Sequence, residues 1–126
     1  MKISSKLIKL KAMEIGFHKV GISKAVSTPN EKAKLEIWLS KNNHATMKWL
    51  HHRKDERGDI HKYFNNAKSV ISVGINYYTG YDQKDINSNY KFSNYAWGED
   101  YHVMVKSKLY QLLKWITTFE RNVKGI

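Results

Sequence analysis

Ser69-Val70-Ile71-Ser72-Val73-Gly74-Ile75-Asn76-Tyr77-Tyr78 is the stretch on which the fold class turns. It is rich in β-branched residues and nearly continuous in apolar character, which predicts a strand buried on both faces with neighbours on both sides. A second short strand is expected over Phe17–Lys24. Two strands alone do not make a stable sheet. The last residues, Arg121-Asn122-Val123-Lys124-Gly125-Ile126, read as a helix exit leading into a further strand. The expected fold is therefore α+β, a mixed sheet flanked by helices, with this chain forming the front part of a longer protein or completing its sheet by self-association.

The helices announce themselves by period and punctuation. Residues 4–15 place Leu7, Ile8, Met13 and Ile15 broadly on one side, and Gly16 marks the stop. Thr28-Pro29-Asn30-Glu31 has the form of a capping box with proline at the first helical position. The helix it opens carries Leu35, Trp38 and Leu39 and fades at Asn42-Asn43, and a short helix is expected around Met47, Trp49 and Leu50. From about Asp100 to Arg121 a long helix is expected, with Val105, Leu109, Leu112 and Ile116 at i, i+4, i+7 and i+11 as its core stripe. The polar run Thr79–Asn89 reads as a loop.

At 126 residues the chain is the size of one domain or part of one. A hydrophobic content of 41% argues for a folded core rather than a disordered tail. The absence of cysteine excludes disulfides, thiolate zinc sites and cysteine-ligated iron–sulfur clusters within these residues. No leader peptide or membrane-spanning run is read in the sequence, so a cytoplasmic protein is expected. The net charge is +11, and the excess is uneven: 14 basic against 6 acidic residues up to Lys62, 8 against 5 beyond it. Such a balance fits a nucleic-acid partner. It equally fits a lysine-rich solvated surface, and charge alone does not separate the two.

Few constellations could carry chemistry. His51, His52 and His61 might be drawn as a metal cluster, but adjacent helical residues diverge by roughly 100°. No metal site is assigned to them. Arg53-Lys54-Asp55-Glu56-Arg57-Gly58-Asp59 reads as a solvated linker with local ion pairs. Its functional alternative is an arginine reaching a carboxamide, carboxylate or phosphate. There is no nucleophile–base arrangement, P-loop or dinucleotide glycine fingerprint. Asn94-Tyr95-Ala96-Trp97-Gly98-Glu99-Asp100-Tyr101-His102 gathers three aromatics before the last helix. Tyr95, Trp97 and Tyr101 are expected as core aromatics. Asp100 is expected to be a helix cap rather than an acid, since a helix N-terminus lowers a carboxyl pKa. No catalytic residue is assigned.

These segments, in order, resemble the N-terminal region of the epoxyqueuosine reductase family, cobalamin-dependent enzymes of tRNA processing in queuosine biosynthesis. The likeness runs through Ile15-Gly16-Phe17-His18-Lys19-Val20-Gly21-Ile22, Met47-Lys48-Trp49-Leu50, Arg57 with Asp59, Ala67-Lys68-Ser69-Val70-Ile71-Ser72-Val73 and Asn76-Tyr77-Tyr78. Its strongest element is Tyr95-Ala96-Trp97-Gly98-Glu99-Asp100-Tyr101-His102, similar to the family's Tyr-Ala-x-Gly-x-Asp-Tyr-His. Asn94 stands where the family has a basic residue, Glu56 where it has lysine, and Ile60 where it has proline.

The resemblance implies that residues 1–126 are the N-terminal part of a cobalamin-binding catalytic domain of an oxidoreductase. Arg57 matches the family's cobalamin-contacting arginine, and Ser93 matches a position lining the cobalamin site. The 4Fe-4S clusters of the family belong to a following ferredoxin-like domain, and its proton-donating aspartate lies in a Val-Asp-Thr/Ser segment past the long helix. Both fall outside this chain, as does the family's C-terminal domain, so the expectation is an N-terminal fragment that is inactive alone. tRNA is the implied partner. The alternative from another class is a stand-alone basic RNA-binding module without redox chemistry.

Overall fold

The structure is a computed structural model, and it describes residues 3–85, 87 and 89–125. Six α-helices and two strands alternate along it: α1 (Ser5–Ile15), β1 (Lys19–Lys24), α2 (Pro29–Ser40), α3 (Lys48–His52), α4 (Lys54–Gly58), α5 (Ile60–Tyr63), β2 (Ser69–Gly74) and α6 (Tyr101–Phe119). Single 3₁₀ turns lie at Gln83–Asp85 and Asn94–Ala96. The two strands form an antiparallel ladder, closed by the His18 amide donating to Gly74 at one end and the Ala25 amide donating to Lys68 at the other. The class is α+β, as the sequence indicated.

The central strand reading needs correction. β2 stops at Gly74 rather than Tyr78, and none of its residues is fully buried. Its expected second neighbour is not found among the described residues, and the strand anticipated at the chain end extends to Ile126, outside them. A buried-strand sequence is thus left half-covered.

Contacts divide the chain into two units, one running to Gly21 and resuming at Ser72–Gly125, the other Ile22–Ile71. In the first, α1 packs on α6, and Ala12, Phe17, Leu112 and Ile116 are buried. Val105 is only partly covered and Leu109 is exposed, so the apolar stripe of α6 is buried at its C-terminal half alone. Ser4 caps α1, its hydroxyl accepting from the Leu7 amide at 3.3 Å. Gly16 ends the helix at φ 105°, a left-handed geometry that glycine adopts without strain. Gly16 and Phe17 amides return to the Met13 and Ala12 carbonyls, a Schellman closure that brings Phe17 against the buried Ala12.

In the second unit α2 packs on α4, and Leu39 is buried. Pro29 opens α2 as expected, but the capping box does not form. Thr28 has φ −119° and ψ 71°, and its hydroxyl and amide both point to the Gly58 carbonyl, at 3.4 and 2.9 Å. A long-range contact has taken the side chain that the local motif would use. α2 ends before Asn42, which sits at φ 56°, a conformation asparagine tolerates.

Candidate functional site

The charged run read as a linker is instead helical. Arg53, at φ −114°, breaks the chain between α3 and α4, and Lys54–Gly58 then form a helical turn against α2. The reason is Gly58. It is buried, and a Cβ there would lie 2.5 Å from Lys32 Cβ and 2.6 Å from its Cγ. Only a residue without a side chain lets the backbone approach α2 so closely. Lys32 lies across this contact, with Nζ 2.7 Å from Asp55 Oδ1 and 3.8 Å from Glu36 Oε1. The hydrogen bond from Lys32 holds the Asp55 carboxyl below its ordinary value, and the same bond raises the Lys32 ammonium.

Arg57 projects from this turn into solvent, with its guanidinium carbon 4.9 Å from the centre of the Trp49 ring. That distance is within the range of a cation–π contact. Among the described residues no carboxylate forms an ion pair with Arg57. Asp59, two residues on, accepts from the Ser27 hydroxyl at 2.8 Å and from the His61 amide at 3.1 Å, and these bonds lower its pKa. Sequence reasoning missed Trp49 and Gly58 as supports of Arg57. The signal was faint: a Trp eight positions before an Arg meets it only because α3 and α4 are separate turns.

Ser93 lies in the other unit. It precedes the 3₁₀ turn Asn94–Ala96 with φ −62° and ψ 139°, and its hydroxyl makes no capping bond. Its carbonyl accepts from the Ala96 amide at 2.9 Å. The Phe92 carbonyl beside it accepts from the Trp97 indole at 3.0 Å and from the Gln83 side chain. These bonds fix the backbone beside Ser93.

The aromatic cluster after Ser93 is not a core. Tyr95 and Tyr101 are 54% and 43% exposed, which overturns the expectation of buried rings. They meet edge to face at 6.0 Å, and Tyr101 stacks on the His102 ring at 4.1 Å. Asp100 is the cap of α6, accepting the His102 amide at 2.9 Å. Its other bond runs to His102 Nδ1 at 2.7 Å. Both bonds favour the carboxylate, the amide bond most, and lower the Asp100 pKa. It is an acceptor at neutral pH, as the helix-start argument required. His51, His52 and His61 are exposed, and among the described residues no group of three or more acidic or histidine side chains is arranged to hold a metal. Nor is any described helix long and apolar enough to cross a membrane.

These features define an α+β chain in which the Arg57 guanidinium is exposed and has no ion-pair partner among the described residues. The sequence matches, over residues 57–125, the family described as epoxyqueuosine reductase QueG, DUF1730. The chain belongs to the epoxyqueuosine reductase family. It is 42% identical over 113 residues to the epoxyqueuosine reductase of Cellulophaga algicola, covering 90% of this chain and 36% of that protein. It is 41% identical over 126 residues to that of Leadbetterella byssophila, covering 100% of this chain and 39% of the relative. The solved structure of epoxyqueuosine reductase from Streptococcus thermophilus superposes with a TM-score of 0.75 at 25% identity, over 95% of this chain and 33% of that one. The chain thus spans little more than a third of the length of these relatives.

Proposed function

We propose that this chain supplies part of the cobalamin-binding face of an epoxyqueuosine reductase acting on tRNA in the cytoplasm. The observation that carries the reading is that the family match begins at Arg57, whose guanidinium is exposed and has no ion-pair partner among the described residues. The donor set suits the cofactor. A corrin is edged with carboxamides and carries a phosphate, both acceptors for a guanidinium fork and a serine hydroxyl. Arg57 is the residue of its own unit that would donate to those groups, and Ser93 is the candidate donor of the other unit.

Bound cobalamin would supply the electron chemistry that opens the epoxide; the protein's own work is to bind, orient and manage protons. Conversion of the epoxide to the alkene takes two electrons and two protons and releases the oxygen as water. Asp100 does not serve as the acid, because its cap bonds hold the carboxylate ionised. With no cysteine in its 126 residues, the chain ligates no iron–sulfur cluster by thiolate. Reduction of epoxyqueuosine-tRNA by this chain alone is therefore not expected. The net charge of +11 favours contact with the phosphates of tRNA.

Spectrophotometric titration with cobalamin tests the reading. Uptake accompanied by a base-off spectrum is expected, together with salt-sensitive tRNA binding. A chain that binds tRNA and leaves the cobalamin spectrum unchanged would overturn the cofactor assignment.

A further inference from the structure

Arg57 is held at both ends. At its root, the neighbouring Gly58 packs so closely on α2 that an added Cβ would sit 2.5 Å from Lys32 Cβ. At its head, the guanidinium lies 4.9 Å from the Trp49 ring centre. Trp49 is itself 56% exposed, so it is not there to fill a core. The aspartates two residues away on either side are drawn elsewhere: Asp55 bonds Lys32 at 2.7 Å, and Asp59 bonds Ser27 at 2.8 Å. The adjacent Glu56 forms no ion pair with the arginine among the described residues. The arginine is left with its charge unneutralised and its N–H edge unclaimed among the described residues.

We propose that Trp49 is a positioning residue for Arg57, its indole face holding the guanidinium so that the N–H edge is presented to a carboxamide or phosphate of a bound ligand. The inference rests on the cobalamin reading above for the identity of that ligand. A free arginine side chain loses considerable rotamer freedom when it binds. Stacking on a ring removes part of that cost before the ligand arrives. An aromatic face can support a guanidinium while its in-plane donors stay available to a ligand. Lysine at this position would lack both the flat face and the fork.

The test uses the 126-residue chain, titrated with hydroxocobalamin by equilibrium dialysis. Trp49→Ala should weaken uptake about three- to five-fold, and Trp49→Phe should restore most of it. In an Arg57→Ala background, Trp49→Ala should cost nothing more. An equal loss in both backgrounds, or no loss from Trp49→Ala, overturns the proposal. A second measurement needs no cofactor. In the ligand-free chain the Arg57 side-chain methylene protons should show a ring-current shift that vanishes in Trp49→Ala, and its absence from the wild type overturns the stacking. Failure of the wild type to take up cobalamin while that shift is present overturns the cofactor reading and, with it, the ligand named here.

Discussion

Lys108 Nζ lies 2.6 Å from the main-chain carbonyl oxygen of Ile15, joining α6 to the C-terminal end of α1 across 93 positions of sequence. The last carbonyls of a helix lack intrahelical partners and carry the negative end of its dipole. An ammonium there supplies both a donor and a favourable charge. Replacing Lys108 with methionine keeps the stem that covers Gly16 and removes the charge. The expected cost is about 1 kcal/mol, read as a lower urea midpoint with unchanged slope.

Gly58 is the position least tolerant of change. Alanine there would place a methyl 2.5 Å from Lys32 Cβ, so α4 must move off α2. The shift also disturbs the Gly58 carbonyl that receives the Thr28 amide. A loss of about 1–3 kcal/mol is expected, and cobalamin uptake should weaken along with it, because Arg57 is rooted one residue away. Unchanged stability in Gly58→Ala would show that the two helices do not depend on this close approach.

Asp100 acts through its acceptor oxygen, not its acidity. Asparagine retains an acceptor for the His102 amide, whereas alanine removes it. Asp100→Ala should lower Tm by a few degrees and Asp100→Asn by less, as followed by circular dichroism. An equal loss in the asparagine and alanine variants would instead assign the importance to the negative charge beside His102.

Titration should erode stability from both ends of the pH scale. Asp55, Asp59 and Asp100 have folded pKa values below the ordinary 3.8, so their contributions are fully present above that value. They are lost as pH falls through the lowered values. Lys32 is raised above 10.5 by its bond to Asp55, so its contribution is full below 10.5 and is lost as pH rises through the folded value. Urea midpoints followed against pH read both losses. Asp55→Asn should remove part of both slopes at once, because it is a partner to the lysine as well as a titrating group.

The stop of α1 and the start of α6 were legible in the sequence because they are set locally. Gly16 and Asp100 act within a few residues of the helix they bound, and Pro29 does the same for α2. What could not be read was set by contacts across the chain. Thr28 gave its hydroxyl to Gly58 instead of closing a capping box, and Gly58 turned an expected linker into α4. Tyr95 and Tyr101 look like core residues by type, yet among the described residues their ring contacts are with each other and with His102. Arg57 and Ser93 came from family likeness alone. No local pattern marks an arginine whose flanking aspartates, Asp55 and Asp59, are engaged by Lys32 and Ser27.

The two units also differ in how the chain is threaded through them. Ile22–Ile71 is one uninterrupted stretch, whereas its companion is assembled from the residues up to Gly21 and those after Ser72. Contacts within the uninterrupted stretch close short loops, and those of the split unit close long ones. Folding should therefore be asynchronous. The turn that roots Arg57 can form early, while α1 waits for α6 to be made before its end is sealed.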